Sequence, residues 1–381
     1  MNRLDAAAQQ PLTPPSKLAW LGALRQPHLA LDWPLEEWER VLRLARRLRL
    51  LARLAEGLAG TDLIDSVPAP ARRHLLSEQR LSRWRMATMV WAMERVSAML
   101  GDTPYPRVLL KGAAYVGQEL PIAAGRLPSD LDILVPYEYL SDAQARLVQA
   151  GWNEVEVDEH DRRYYVEWSH EVPPMRHPLL AMELDLHHNI LPPVARTHVD
   201  AHALLAHLQP TKWPSWQVFQ PLDQVLHSAA HLFLDSELRD RLRDLVDLDG
   251  LFRHFGSQPG FWDRLPARAT ELGLAEPLAL ACHFTVAWLA TPIPAQTLQS
   301  ITAAGPSRWR RAWLLPLLES CLMPTEPDDA PPWTQSLAAT VLLARYHRQR
   351  MPLRLLLPHL WHKWRTNRQL AAELAATDKR A

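Results

Sequence analysis

The stretches Leu109-Leu110-Lys111-Gly112-Ala113 and Gly125-Arg126-Leu127-Pro128-Ser129-Asp130-Leu131-Asp132-Ile133-Leu134-Val135 decide how this chain folds. In a strand successive side chains alternate between faces, so Asp130 and Asp132 share one face roughly 7 Å apart while Leu131 and Ile133 turn into a core. Two carboxylates so placed raise each other's pKa unless a cation neutralises them. Mg²⁺ is the natural partner, because it takes carboxylate oxygens and keeps coordination positions for phosphate. Taken alone, an Asp-x-Asp pair more often marks an exposed turn feeding a strand, so the surrounding residues decide between the two readings.

Working outward, Met182-Glu183-Leu184-Asp185-Leu186-His187 repeats the alternation, with Glu183, Asp185 and His187 on the face opposite Met182, Leu184 and Leu186. A strand of this kind beside the first supplies the third carboxylate of a two-metal phosphoryl or nucleotidyl transfer site. The bland alternative is a half-exposed edge strand. Gly112 falls between a strand and a predicted helix, where backbone N–H groups can face an anion without a side chain in the way. Lys111 and Arg126 are then candidate phosphate contacts, and Gly112, Ala113 and Ser129 complete the candidate nucleotide-binding set. Only five of the 42 basic residues are Lys (Lys17, Lys111, Lys212, Lys363 and Lys379), so a Lys inside this motif stands out from background.

The flanks read as helical. Apolar residues recur at helical spacing from Leu35 to Leu58, and a second long helix is expected from Pro70 to Leu100, stopped by Gly101. The middle changes character. Strands are expected at Val108–Leu110 and Leu131–Val135, helices at Gly112–Leu120 and from Ser141 to Ala150, and three further strands at Trp152–Val157, Tyr164–Trp168 and Leu179–Leu186. After the Pro-containing stretch 192–221, helical periodicity returns at Leu222–Leu234, Leu238–Phe255, Pro277–Ala290, Trp309–Leu322, Thr334–Arg350 and Leu353–Ala376. The expected class is α+β, a small mixed sheet flanked by helical bundles. Its divisions are a flexible lead-in at 1–16, an N-terminal helical region at 17–103, a core at 104–192 and a C-terminal helical region at 193–381.

These segments, LLKGAAYV, GRLPSDLDILV, ELDLHH and the helix pair carrying His227, His231 and RLRDLVDLDGL, resemble the bacterial uncharacterised nucleotidyltransferases of the polymerase-beta-like superfamily. The resemblance covers most of residues 36–255. It implies a Mg²⁺-dependent NTP site, with two ions (Mg²⁺, or Mn²⁺ in its place) held by Asp130, Asp132 and Asp185, and with Asp185 helping to activate an acceptor. ATP is the expected nucleotide, and the acceptor is a hydroxyl or phosphate that the sequence does not identify. Gly112-Ala113 stands where the superfamily commonly has Gly-Gly or Gly-Ser, and the gap to Asp130 is longer. Lys111 and Arg126 are therefore the candidates to replace the missing Ser hydroxyl. Two competing functions stay open: a binding or scaffold protein on a degenerate transferase fold, and a metal-dependent phosphotransferase or phosphohydrolase using the same carboxylates with histidines.

Other polar residues carry weaker signals. His227 and His231, four apart, share a helix face and read first as packing histidines, second as contacts to nucleotide or acceptor. They lack the adjacent Glu of a zinc-protease helix. His187, on the face of Asp185, and Glu183 are further candidates. Asp244, Asp247 and Asp249 interleave with Arg239, Arg241 and Arg243 and read as a solvated face with local ion pairs. The tail from Arg345 to Arg368, with Tyr346, Trp361 and Trp364, reads first as amphipathic packing. The formal net charge of +0 over 381 residues gives no general attraction to nucleic acid. Cys282 and Cys321, far apart, supply neither a disulfide framework nor metal-ligand spacing. With no apolar leader and no window long enough to span a bilayer, a cytoplasmic protein is expected.

Overall fold

The structure is a computed structural model that describes residues 16–358, 360–362, 365, 366 and 368. The lead-in therefore lies outside the described residues up to residue 15, as do Lys363 and Trp364 of the tail and the end of the expected helix Leu353–Ala376. The chain is predominantly helical around a seven-stranded mixed sheet, an α+β architecture.

Two short 3₁₀ segments, Ser16–Leu24 and Pro27–Asp32, precede α1 (Leu35–Arg47), α2 (Leu51–Gly60) and α3 (Ala69–Leu100). The single helix expected from Leu35 to Leu58 is thus two. Arg49 adopts φ 56° and the Leu50 amide donates to the Ala45 carbonyl at 2.7 Å, so the first helix ends in a left-handed turn. The core region follows with β1 (Val108–Leu109), α4 (Lys111–Gly117), β2 (Asp130–Leu134), α5 (Leu140–Gln149), β3 (Asn153–Glu154), α6 (Glu159–Glu167), β4 (Met175–His177) and β5 (Leu180–His187). Tyr164–Trp168 is not a strand. The Asp158 carboxylate accepts from the Asp161 amide at 2.8 Å and caps α6, whose first turn carries Glu159 and Asp161, so the helix start outweighs the β preference of the tyrosines.

The stretch 192–221 also carries structure: α7 (Ala201–Leu205), β6 (Leu208–Pro210) and β7 (Gln217–Phe219). The sheet order is β3-β4-β5-β2-β1-β7-β6, so β7, distant in sequence, lies parallel beside β1. Helices α8 (Pro221–Phe233), α9 (Leu242–Phe255), α10 (Phe261–Glu271), α11 (Ala275–Leu289), α12 (Ala295–Ala304), α13 (Arg308–Leu322) and α14 (Trp333–Arg350) follow. Among the described residues no helix is long and apolar enough to cross a membrane.

The central pair of strands positions the site. β2 and β5 run parallel with Asp130 opposite Glu183, Asp132 opposite Asp185 and Leu134 opposite His187. Leu131, Ile133, Leu184 and Leu186 are fully buried. Each contributes roughly 1.5–3 kcal/mol by leaving water. A one-residue slip would drive the carboxylates into that core, so apolar burial fixes the register and with it the pairing of Asp132 and Asp185.

Candidate functional site: a carboxylate triad beside a basic cleft

One carboxylate oxygen each from Asp130, Asp132 and Asp185 lies within 4.8 Å of the other two. The donor set is all oxygen, the type a hard divalent cation takes. Burial and the neighbouring Asp132 charge push the Asp185 carboxyl up to about 7. Such crowding is what a bound cation would relieve, so these residues fit Mg²⁺. Asp132 goes the other way: burial would raise its pKa, but the Lys111 ammonium and a hydrogen bond from His187 outweigh that and hold it well below the ordinary range.

Lys111 begins α4 immediately after β1, and its ammonium donates to Asp132 Oδ1 at 2.8 Å. His187 Nε2 meets the same oxygen at 3.1 Å. Asp132, 4 % exposed, is therefore the hub of the site. Ser129 donates to Asp130 Oδ1 at 3.1 Å.

A cleft of about 210 Å³ opens on Asp130 and Asp132 of the triad, and its wall also includes Lys111, Gly112, Arg126 and Ser129. Arg126 is buried, its guanidinium paired with Asp247 of α9 and lying 5.1 Å from the centroid of the Tyr115 ring. Burial and the nearby Arg243 charge lower its pKa to about 10, which still leaves it charged at neutral pH. A Cβ on Gly112 would lie 3.4 Å from the Arg126 Nη2, an ordinary van der Waals contact, so the two are packed neighbours. Ala113 is buried in the core and does not line the cleft.

The remaining sequence candidates divide. His231 lines the cleft and accepts from Arg241 at 3.3 Å, whereas His227 is buried against Phe219, ring centroids 6.1 Å apart, and does not line it. Glu183 turns to Arg176 in a surface ion pair and is not one of the triad. The solvated acidic face is corrected: Asp244, Asp247 and Asp249 are all buried. Asp247 pairs with both Arg53 of α2, at 2.9 Å, and Arg126, while Asp249 binds Arg253 at 2.8 Å and accepts from Thr291. The apolar positions Leu242, Leu245, Val246, Leu248, Leu251 and Phe252 surround α9 and leave it no wholly polar face, a signal present in the sequence. Arg241 and Arg243, read from the sequence as part of that solvated face, line the cleft, as does Arg49, which the sequence reading missed. Arg49 reaches it from the break between α1 and α2, so a helix stop, invisible to periodicity, places that charge.

Tyr346 of the tail is buried rather than free to engage a partner, while Trp361 is exposed. Both cysteines are buried and unpaired.

No curated protein and no solved structure matches the chain. Residues 34–290, which contain the triad, both strands that bear it and the basic cleft, match the family model described as uncharacterised nucleotidyltransferase, and the chain belongs to that family.

Proposed function

We propose that the protein is a Mg²⁺-dependent nucleotidyltransferase that moves NMP from an NTP, ATP foremost, to a hydroxyl or phosphate acceptor. The observation that carries this reading is the meeting of three carboxylates from two adjacent strands beside a cleft lined by Arg49, Lys111 and Arg126. Asp130, Asp132 and Asp185 would hold the metal, two Mg²⁺ ions or Mn²⁺ in their place. Bound there, Mg²⁺ supplies positive charge where phosphate charge develops. Lys111, Arg126 and Arg49 neutralise the triphosphate, and Ser129 and the Gly112 backbone border it. Asp185, whose carboxyl is pushed up to about 7, takes the proton of the acceptor hydroxyl as its oxygen bonds to the α-phosphorus. The bond from that phosphorus to the bridging oxygen breaks and pyrophosphate leaves. Basic groups around fixed phosphates act mainly by position and electrostatics.

The test is to incubate the protein with Mg²⁺, α- or γ-labelled ATP and a cell lysate as acceptor source. Label transferred from the α position only is expected. Asp132→Asn should abolish transfer while melting stays nearly unchanged, and equal transfer by that variant would remove the assignment. Transfer or release of the γ label alone would instead indicate a phosphotransferase or phosphohydrolase.

One contact favours a second reading, a binding or scaffold protein on this fold: the Lys111 ammonium already supplies a cation to Asp132. It predicts that NTPs raise the melting temperature no more with Mg²⁺ than without, whereas transferase chemistry requires a metal-dependent rise.

A further inference from the structure

We infer that His170, Glu171 and His187 form a second metal centre, suited to Zn²⁺ or another transition dication, separate from the carboxylate triad and opening on the cavity beside it. One nitrogen from each histidine and one Glu171 oxygen lie within 4.8 Å of one another. Glu171 Oε2 is 3.3 Å from His187 Nδ1 and 4.0 Å from His170 Nε2. Four-coordinate zinc with bonds of about 2.0–2.1 Å keeps its donors roughly 3.3 Å apart, so small side-chain adjustments close the set. The backbone brings the donors together: Glu171 bridges antiparallel to His187 at the end of β5.

The second observation lies in the imidazole of His187, 2 % exposed. Its Nε2 lies 3.1 Å from the Asp132 carboxylate, which leaves Nδ1 as the nitrogen turned toward Glu171. That Nδ1 is buried and makes no hydrogen bond, although the Glu171 carboxylate is its neighbour; His170 Nδ1 is likewise buried without a partner. A dication bound to Nδ1 and Glu171 takes the place of the ring proton that these two groups otherwise share. The Asp132–His187 pair then becomes the carboxylate–histidine arrangement that orients metal-ligating imidazoles. Two nitrogens and one oxygen select against Mg²⁺ and for the borderline transition metals. The adjoining cavity, about 160 Å³, is lined by His170 and Glu171, so a three-ligand metal keeps a coordination position open toward it. The positive groups on that wall are Lys111, already paired with Asp132, and Arg350, held by the hydroxyls of Tyr164 and Tyr346. The centre needs no nucleotide, so it stands or falls apart from the proposed transferase activity.

The test is titration of the tag-free, chelator-dialysed full chain with Co²⁺, read by its visible absorption. One equivalent should give the intense bands of four-coordinate cobalt, displaced by Zn²⁺. The bands should persist in Asp130→Asn and disappear in His170→Ala and Glu171→Gln, each of which removes a direct ligand. Absence of the bands from the unmodified chain, or their survival in His170→Ala, overturns the proposal. Should those variants fail to fold, X-ray absorption of the zinc-loaded unmodified chain decides: two imidazoles in the coordination shell support the centre, and fewer overturn it.

Discussion

Lys111 adopts φ 45°, a left-handed conformation that costs a residue with a side chain about 1–3 kcal/mol. The strain falls where the ammonium meets Asp132, and that contact fixes the charge pattern of the triad: Asp132 stays ionised, so the reluctance to ionise settles on Asp185. Because the Asp185 carboxyl sits at about 7 rather than the usual 3.8, a metal must displace its proton in acid. Mg²⁺ affinity should therefore rise about tenfold per pH unit up to roughly pH 7 and level off above it. Calorimetry in buffers of different ionisation enthalpy should find close to one proton released per binding event near pH 6 and almost none near pH 8.5. Pure pH-independent binding would contradict the ligand role of Asp185. Asp132→Asn removes the neighbouring charge and should move the break in the affinity profile to lower pH.

At the scale of elements, the loop between α4 and β2 turns a distant arginine into part of the site. Gly125 has φ 75°, and a Cβ there would fall on the Arg53 backbone of α2; a Cβ on Gly250 of α9 would fall on Ile122. The loop is thus clamped from both sides, and Ser82 of α3 donates to the Arg126 carbonyl at 2.7 Å. Gly125→Ala combines an unfavourable backbone with a clash and should cost more than about 1 kcal/mol. Urea unfolding should show a lower midpoint with an unchanged slope, together with weaker nucleotide binding as Arg126 shifts. An unchanged midpoint would mean that the loop is not held in this way. The same clamp explains what sequence could and could not reveal. Alternation in DLDIL and MELDLH is local, and it disclosed which acids share a face; the register that pairs Asp132 with Asp185 follows from burying the intervening residues. β6 and β7, three residues each, are too short for a period, and β7 is fixed by its partner β1 across more than a hundred residues of chain. Arg49 and Asp247 escaped for the same reason, since their roles depend on contacts from other elements. The Tyr164–Trp168 segment shows the opposite failure, a local preference overruled by a cap at Asp158.

Over the whole molecule, buried charge is a cost that the fold meets by pairing across regions. Asp247 joins α2, the Arg126 loop and α9, while Arg268 of α10 binds the fully buried Asp223 of α8 at 2.8 Å. Removing one partner leaves the others buried and unpaired, so Asp247→Ala should cost about 3–5 kcal/mol, visible as a large fall in the urea midpoint. Asp249, bound to Arg253 and Thr291, extends the same scheme toward the end of α11. Two histidines of α8 shape the response to acid. Burial, reinforced by the Lys111 charge, lowers His227 to about 3 and holds His231 well below 6.5. Both are neutral when folded but take up protons when unfolded. Their stabilising contribution is complete above roughly pH 6.5 and is lost as pH falls toward the folded values, each at about 1.4 kcal/mol per pH unit. Asp185 acts with the opposite sign, because its raised pKa favours the protonated folded state: that contribution is full below about pH 4 and gone by pH 7. Between pH 6.5 and 5 the two histidines therefore outweigh the one carboxylate, and stability should fall with acid. His227→Leu removes one of these proton sites and should flatten the slope of unfolding free energy against pH by about 1.4 kcal/mol per unit over that window. A slope equal to that of the unmodified chain would mean that His227 is not held neutral by burial.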